Sequence, residues 1–195
     1  MGGLTPVPPD RLATIVTTLE MRERPRPRPM PSSPLRLHRW RAPAPDRYRA
    51  LFRRVGERWL WYSRLQLDDV TLAARIAAAE VYAVVDPAGI EVGMLELAFA
   101  AGATEIAYFG LVPELTGQGH GRWLMAHALA LAWRQGTTSV RLNTCTLDHP
   151  SALGFYRAQG FQAVGRTIET FPDPRALGLL PEGAAPQVPY LANRR

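Results

Sequence analysis

Lysine is absent from the 195-residue chain, and all 23 basic side chains are arginine. That excludes a phosphate loop of the Gly-Lys-Ser/Thr kind, which relies on the lysine ammonium. Cysteine is almost as scarce. Cys145 stands alone, so no internal disulfide can form and the cytoplasm is the expected compartment. No stretch reaches about 18 apolar residues free of charge, so neither a membrane-spanning helix nor a membrane partner is expected. The first residues lack the basic start, apolar core and small-residue cleavage site of a secretory leader. The four histidines show no metal-ligand spacing, and no metal is expected.

What is present fits one globular domain: 47% hydrophobic and 21% charged residues, with a net charge of +6. The basicity is local. Between Arg11 and Arg75 there are fifteen arginines and six acids, whereas from Ile76 onward there are eight arginines and ten acids. Ten of the 18 prolines fall within the first 45 residues, including the alternating Arg24-Pro25-Arg26-Pro27-Arg28-Pro29. Proline lacks an amide donor and clashes with the preceding turn, so this run reads as an extended, polyproline-like linker. Residues 1–34 are therefore expected to be a largely flexible extension, with Ala13 to Met21 adding an edge strand or a loose helix. Residues 35–171 would form the domain, and 172–195 a Pro- and Gly-rich tail that wraps or dangles. A nucleic-acid partner is not expected, because alternating proline is a poor fit to a groove-reading helix.

Hydrophobic periodicity supplies the elements of the domain. Leu35 to Trp40 alternates as a half-buried strand does. Asp46 is placed to cap a helix from Arg47, with Tyr48, Leu51, Phe52 and Val55 at helical spacing. Leu67-Asp68-Asp69 introduces a second helix, Val70 to Ala79. Strands Val81–Val85 and Glu91–Ala98 flank the turn Asp86-Pro87-Ala88-Gly89. A third strand of that run, Glu105–Leu111, leads into helix 119–135, strand 139–146, helix 150–159 and strand 161–171. The order predicts one α+β domain: a mixed, mostly antiparallel central sheet with helices on both faces.

Chemistry concentrates between Glu105 and Arg122. The strand ends at Leu111, Pro113 stops the ladder, and glycines at 117, 119 and 121 open a long apolar helix. Glycine lets the backbone turn its amides inward and lets a bulky ligand approach closely. A helix start adds unpaired amides and the positive end of the dipole, which together favour phosphate. Arg122 in the first turn could add a charge-assisted contact. A dinucleotide fingerprint does not fit: counting from Gly117 its last glycine falls on Arg122, and from Gly119 on Leu124.

At these residues the sequence resembles the GCN5-related N-acetyltransferases. Their Gln/Arg-x-x-Gly-x-Gly/Ala loop, after a strand and a bend like Leu111-Val112-Pro113, reads here Thr116-Gly117-Gln118-Gly119-His120-Gly121. Their later Ala-x-x-x-Tyr helix followed by Gly-Phe reads Ala152-Leu153-Gly154-Phe155-Tyr156 and then Gly160-Phe161. Both motifs occur in the family's order. The resemblance implies a splayed parallel pair formed by 105–111 and 139–146, with acetyl-coenzyme A in the cleft. It assigns the pantetheine and acetyl carbonyl to Phe109, Gly110 and Leu111. The pyrophosphate falls to Gly117, Gln118, Gly119, His120, Gly121 and Arg122. Tyr156 matches the family's general acid, which protonates the leaving sulfur. Glu105 stands where some members place the general base, with Glu96 on the neighbouring strand as substitute. Residues 105, 107, 109 and 111 are expected to share one strand face, which puts Glu105 on the side of Phe109.

The function implied is direct acetyl transfer to an amine carried by a small molecule or a peptide. A catalytically inactive acyl-coenzyme A sensor is the alternative. Cys145 is expected to be a buried strand residue, and His127 a structural one. The cluster Trp59-Leu60-Trp61-Tyr62, between the two early helices, forms either an acceptor pocket or plain core. A homodimer is compatible with the sequence.

Overall fold

A computed structural model describes residues 2–26 and 28–191. Pro27 of the Arg-Pro run and the last four tail residues lie outside the described residues. Among the described residues seven strands form one sheet: β1 (Arg11–Met21), β2 (Arg36–Trp40), β3 (Ala79–Val85), β4 (Glu91–Ala100), β5 (Ala103–Leu111), β6 (Ser139–Cys145) and β7 (Gln162–Pro172). Their order is β2-β3-β4-β5-β6-β1-β7, and the β5–β6 pair alone is parallel. Four α-helices lie among the described residues: α1 (Pro45–Gly56), α2 (Asp69–Ala77), α3 (His120–Ala132) and α4 (Ala152–Ala158). The expected mixed, mostly antiparallel α+β sheet is what forms.

The interior strand β4 is buried without a break from Val92 to Leu97, which requires cover on both sheet faces. Helix α1 supplies one cover through Tyr48, Leu51, Phe52 and Val55, all fully buried at helical spacing. On the opposite face the Thr104 hydroxyl of β5 donates to the carbonyl of Ala132 in α3. Pro45, not Arg47, opens α1. Ala44 is its cap without a side-chain bond, and Asp46 lies in the first turn, where its carboxylate meets the positive end of the dipole. Asp68 does cap α2, accepting from the Thr71 amide at 2.8 Å. Helix α3 stops at Ala132, short of the expected 135, because Trp133 leaves the helical region.

The N-terminal segment departs most from expectation. Residues 11–21 are neither a loose helix nor a sheet edge. β1 pairs on one side with β6 (Val16 opposite Cys145) and on the other with β7 (Ile15 opposite Ile168). An interior strand satisfies its backbone groups on both sides, and that outweighs the polar character of its threonines. Beyond it, Ser33 bonds His120 at the start of α3 at 3.0 Å.

The tail wraps back. A buried Asp173–Arg175 ion pair at 2.7 Å folds it, and Arg175 also donates to the carbonyls of Ala184 and Val188. Gln187 then donates to the carbonyl of Arg58, which fastens the tail to the α1–α2 connection.

Candidate active site

The parallel pair holds together for only four residues, from Ala103 opposite Ser139 to Ile106 opposite Leu142. Past that point the strands part. A bulge on β5 coincides with the opening: Ile106 faces Leu97 of β4 but Tyr108 faces Glu96, so Ala107 is the extra residue. The amides and carbonyls on the β6 side of residues 107–111 are thereby left without a ladder partner. A cavity of about 830 Å³ fills the gap, within the range of small-molecule sites.

Phe109, Gly110 and Leu111 all line this cavity, as do Gly117, Gln118, Gly119, Gly121 and Arg122 from the glycine turn. Gly117 (φ 79°) and Gly119 (φ 85°) occupy the left-handed region that side chains rarely adopt, and Gly119 caps α3. The turn brings the N-terminus of α3, with its unpaired first amides and the positive end of its dipole, to the cavity. Two details differ from the expected cradle. The Arg122 amide already donates to the Gly119 carbonyl at 3.1 Å, leaving its exposed guanidinium as the cationic group. His120 turns away from the cavity to Ser33. Gln118 braces the turn by donating to the Glu114 carbonyl at 2.8 Å.

Tyr156 reaches the cavity from α4, boxed by edge-on rings of Phe109 (6.0 Å), Phe155 (5.4 Å) and Phe161 (6.3 Å). Burial, with the nearby Asp148 carboxylate, pushes its hydroxyl well above the ordinary tyrosine value. It therefore holds its proton at neutral pH. Cys145 also lines the cavity, its thiol pushed up by burial and by Asp148, so it is no thiolate nucleophile.

The two candidate bases lie elsewhere. The bulge breaks the alternation, so Glu105 shares a face with Tyr108 and Gly110 instead of Phe109. It is exposed, sits opposite Arg141 of β6 and does not line the cavity. Glu96 is 1% exposed, and both its oxygens are engaged: Arg64 donates to one at 2.6 Å and the Tyr48 hydroxyl to the other. Its carboxylate serves structure beneath the wall. The carboxylates that do reach the cavity are Asp148 and Glu169. Asp148 accepts from the Thr144 hydroxyl at 2.7 Å and the Cys145 amide at 2.9 Å. Nothing in the sequence marked Glu169 or Thr14, because both reach the cavity through the unforeseen position of β1.

The aromatic cluster proves to be a wall and not plain core. Trp59, Leu60, Trp61 and Tyr62 all face the cavity. Tyr62 stacks on Phe171 of β7 (4.7 Å, 9°), and Trp61 leans on Tyr108 (5.1 Å). Leu60 takes a left-handed turn (φ 55°) that swings the wall inward. Gly56 and Gly110 are required here, since a methyl group on Gly56 would run into Trp61 and one on Gly110 into Val55 of α1, with Trp61 close behind.

Three solved structures show the same fold at low identity. A conserved protein of unknown function from Staphylococcus epidermidis ATCC 12228 is 15% identical, with a TM-score of 0.53 over 84% of this chain and 63% of its own. A GCN5-related N-acetyltransferase from Sphaerobacter thermophilus is 17% identical, with a TM-score of 0.58 over 82% of this chain and 51% of its own. An IAA acetyltransferase from Bacillus cereus ATCC 14579 is 19% identical, with a TM-score of 0.52 over 67% and 79%. The chain thus spans less than two thirds of the length of the first two. No curated protein gives a significant match. The sequence itself matches the acetyltransferase (GNAT) family over residues 16–161. That match runs through the splayed pair, the glycine turn and the tyrosine helix alike, and the chain belongs to the GNAT acetyltransferase family.

Proposed function

We propose that the protein transfers an acetyl group from acetyl-coenzyme A to an amine by direct attack, with Tyr156 as general acid. One observation carries this reading: the strand splay, the glycine turn and a buried, protonated tyrosine open on one continuous cavity. The residues fit the coenzyme. The turn at 117–121 and the Arg122 guanidinium would hold the pyrophosphate, and the unpaired backbone of 107–111 the pantetheine. Acetyl-coenzyme A, when bound, supplies a thioester whose acyl carbon is open to attack. A backbone donor on Phe109, Gly110 or Leu111 steadies the negative charge that builds on oxygen. Tyr156 is protonated at neutral pH and gives its proton to the sulfur as the carbon–sulfur bond breaks, and a proton from water then restores the phenol.

Asp148 takes the proton that the attacking nitrogen loses, through water in the cavity. It is the lining carboxylate whose charge reaches Tyr156. Glu105 is the second candidate, and a water chain past Tyr108 would be needed to reach it. Reading thiol release over a panel of amines tests both. Tyr156→Phe and Asp148→Asn should lower kcat while coenzyme binding persists, and Glu105→Gln should change little. Full activity of Tyr156→Phe would refute the acid assignment. A Glu105→Gln loss exceeding that of Asp148→Asn would return the base to Glu105. The acceptor is a small-molecule or peptide amine.

A further inference from the structure

The acceptor end of the cavity has a charge pattern that narrows the acceptor class, a step that rests on the acetyl-transfer reading above. Among the described residues that line the cavity, Arg122 is the one arginine, and it stands at the glycine turn. The opposite end is walled by Trp59, Trp61, Tyr62, Tyr108 and Phe171, with Glu169 as its charge. Tyr62 donates to Glu169 at 3.5 Å, a long and weak bond. One cavity is therefore cationic where phosphate would lie and anionic, with aromatic faces, where the acceptor would lie.

Position then decides what Glu169 can touch. Thr14 of β1 pairs with Glu169, and β1 separates β7 from β6. Two strand spacings put β7 about 10 Å from β6. The attacking nitrogen must sit in the gap between β5 and β6, so Glu169 meets the other end of the acceptor. Aromatic faces attract cations as well. A carboxylate on the acceptor would face Glu169 and Asp148, and the arginines beside the wall are engaged elsewhere, Arg64 with Glu96 and Arg11 with the Thr170 carbonyl.

We propose that the acceptor is a dication: a primary amine bearing a second cationic group at the far end of a short apolar spacer, held by Glu169 and the aromatic wall. The test compares the wild-type chain with Glu169→Gln on three acceptors of matched length, diaminopentane, pentylamine and aminohexanoate, by thiol release from acetyl-coenzyme A. The diamine should be the best substrate and aminohexanoate the poorest. Glu169→Gln should raise KM for the diamine about fivefold and leave pentylamine unchanged, as expected for a rim carboxylate. A preference for pentylamine or aminohexanoate, or an equal effect of Glu169→Gln on both amines, overturns the dication while leaving acetyl transfer intact. Failure to bind the coenzyme overturns the acetyl-transfer reading instead. Coenzyme binding with no release on any acceptor counts against both.

Discussion

Arg64 and Glu96 form the ion pair on which the aromatic wall of the cavity rests, and removing the arginine should be costly. The Glu96 side chain is 2% exposed and the Arg64 side chain 18%, with 2.6 Å between them. Burial works against the arginine's charge and Glu96 outweighs it. Arg64→Met leaves the carboxylate buried with the Tyr48 hydroxyl as its donor. Breaking a buried pair in this way costs about 3–5 kcal/mol, and the partial exposure of Arg64 favours the lower end. For a domain of this size, about 3 kcal/mol lowers Tm by about 6–12 °C. Glu96→Leu strands an arginine that can turn towards water, so it should cost less, about 1–2 kcal/mol. The double variant removes both charges and should fall short of the sum by about 2 kcal/mol. Urea denaturation of the four proteins measures the cycle. Additivity within about 0.5 kcal/mol would refute the reasoning. Because Arg64 also lies over the Tyr108 ring (5.1 Å), Arg64→Met should raise acceptor KM without changing coenzyme affinity.

Tyr156→Phe should lower kcat about a hundredfold or more, and a smaller loss would deny the tyrosine its role as acid. The raised Tyr156 pKa puts the alkaline limb of kcat above about pH 10. Asp148→Asn removes a negative charge that opposes ionisation, so the limb should move to lower pH. An unmoved limb would argue that Tyr156 is not the group titrating. Gly119→Val forces a branched side chain into φ 85° at the cap of α3 and should weaken coenzyme binding about tenfold, measured by calorimetry. Removal of residues 1–21 takes away a strand paired on both sides, and the shortened chain should lose its cooperative thermal transition. Retention of the wild-type Tm would show β1 to be dispensable.

The sequence carried the elements from Leu35 to Phe171 because their patterns are local: alternation in β2, helical spacing in α1, a proline–glycine turn before β4. The glycine turn and Tyr156 were legible for the same reason, each being a short motif beside a strand or a helix. Three features were not local. β1 has threonines where a buried strand would carry larger apolar groups, and only its pairing with β6 and β7 explains its order. The bulge at Ala107 depends on how β5 meets β4, and it moved Glu105 off the expected face. Glu96 looked available as a base until the chain folded Arg64 and Tyr48 onto it from helix and loop residues far away in sequence. Glu169 came to line the cavity through the first of these long-range effects, the placement of β7 beside β1.

The measurement closest to the central claim is a calorimetric titration of the intact chain with acetyl-coenzyme A, repeated with Gly119→Val. Saturable binding at one site per chain, weakened by that substitution, is the predicted result. Absence of binding, or equal binding by both proteins, would contradict the assignment of the glycine turn and the splayed strands as the coenzyme site.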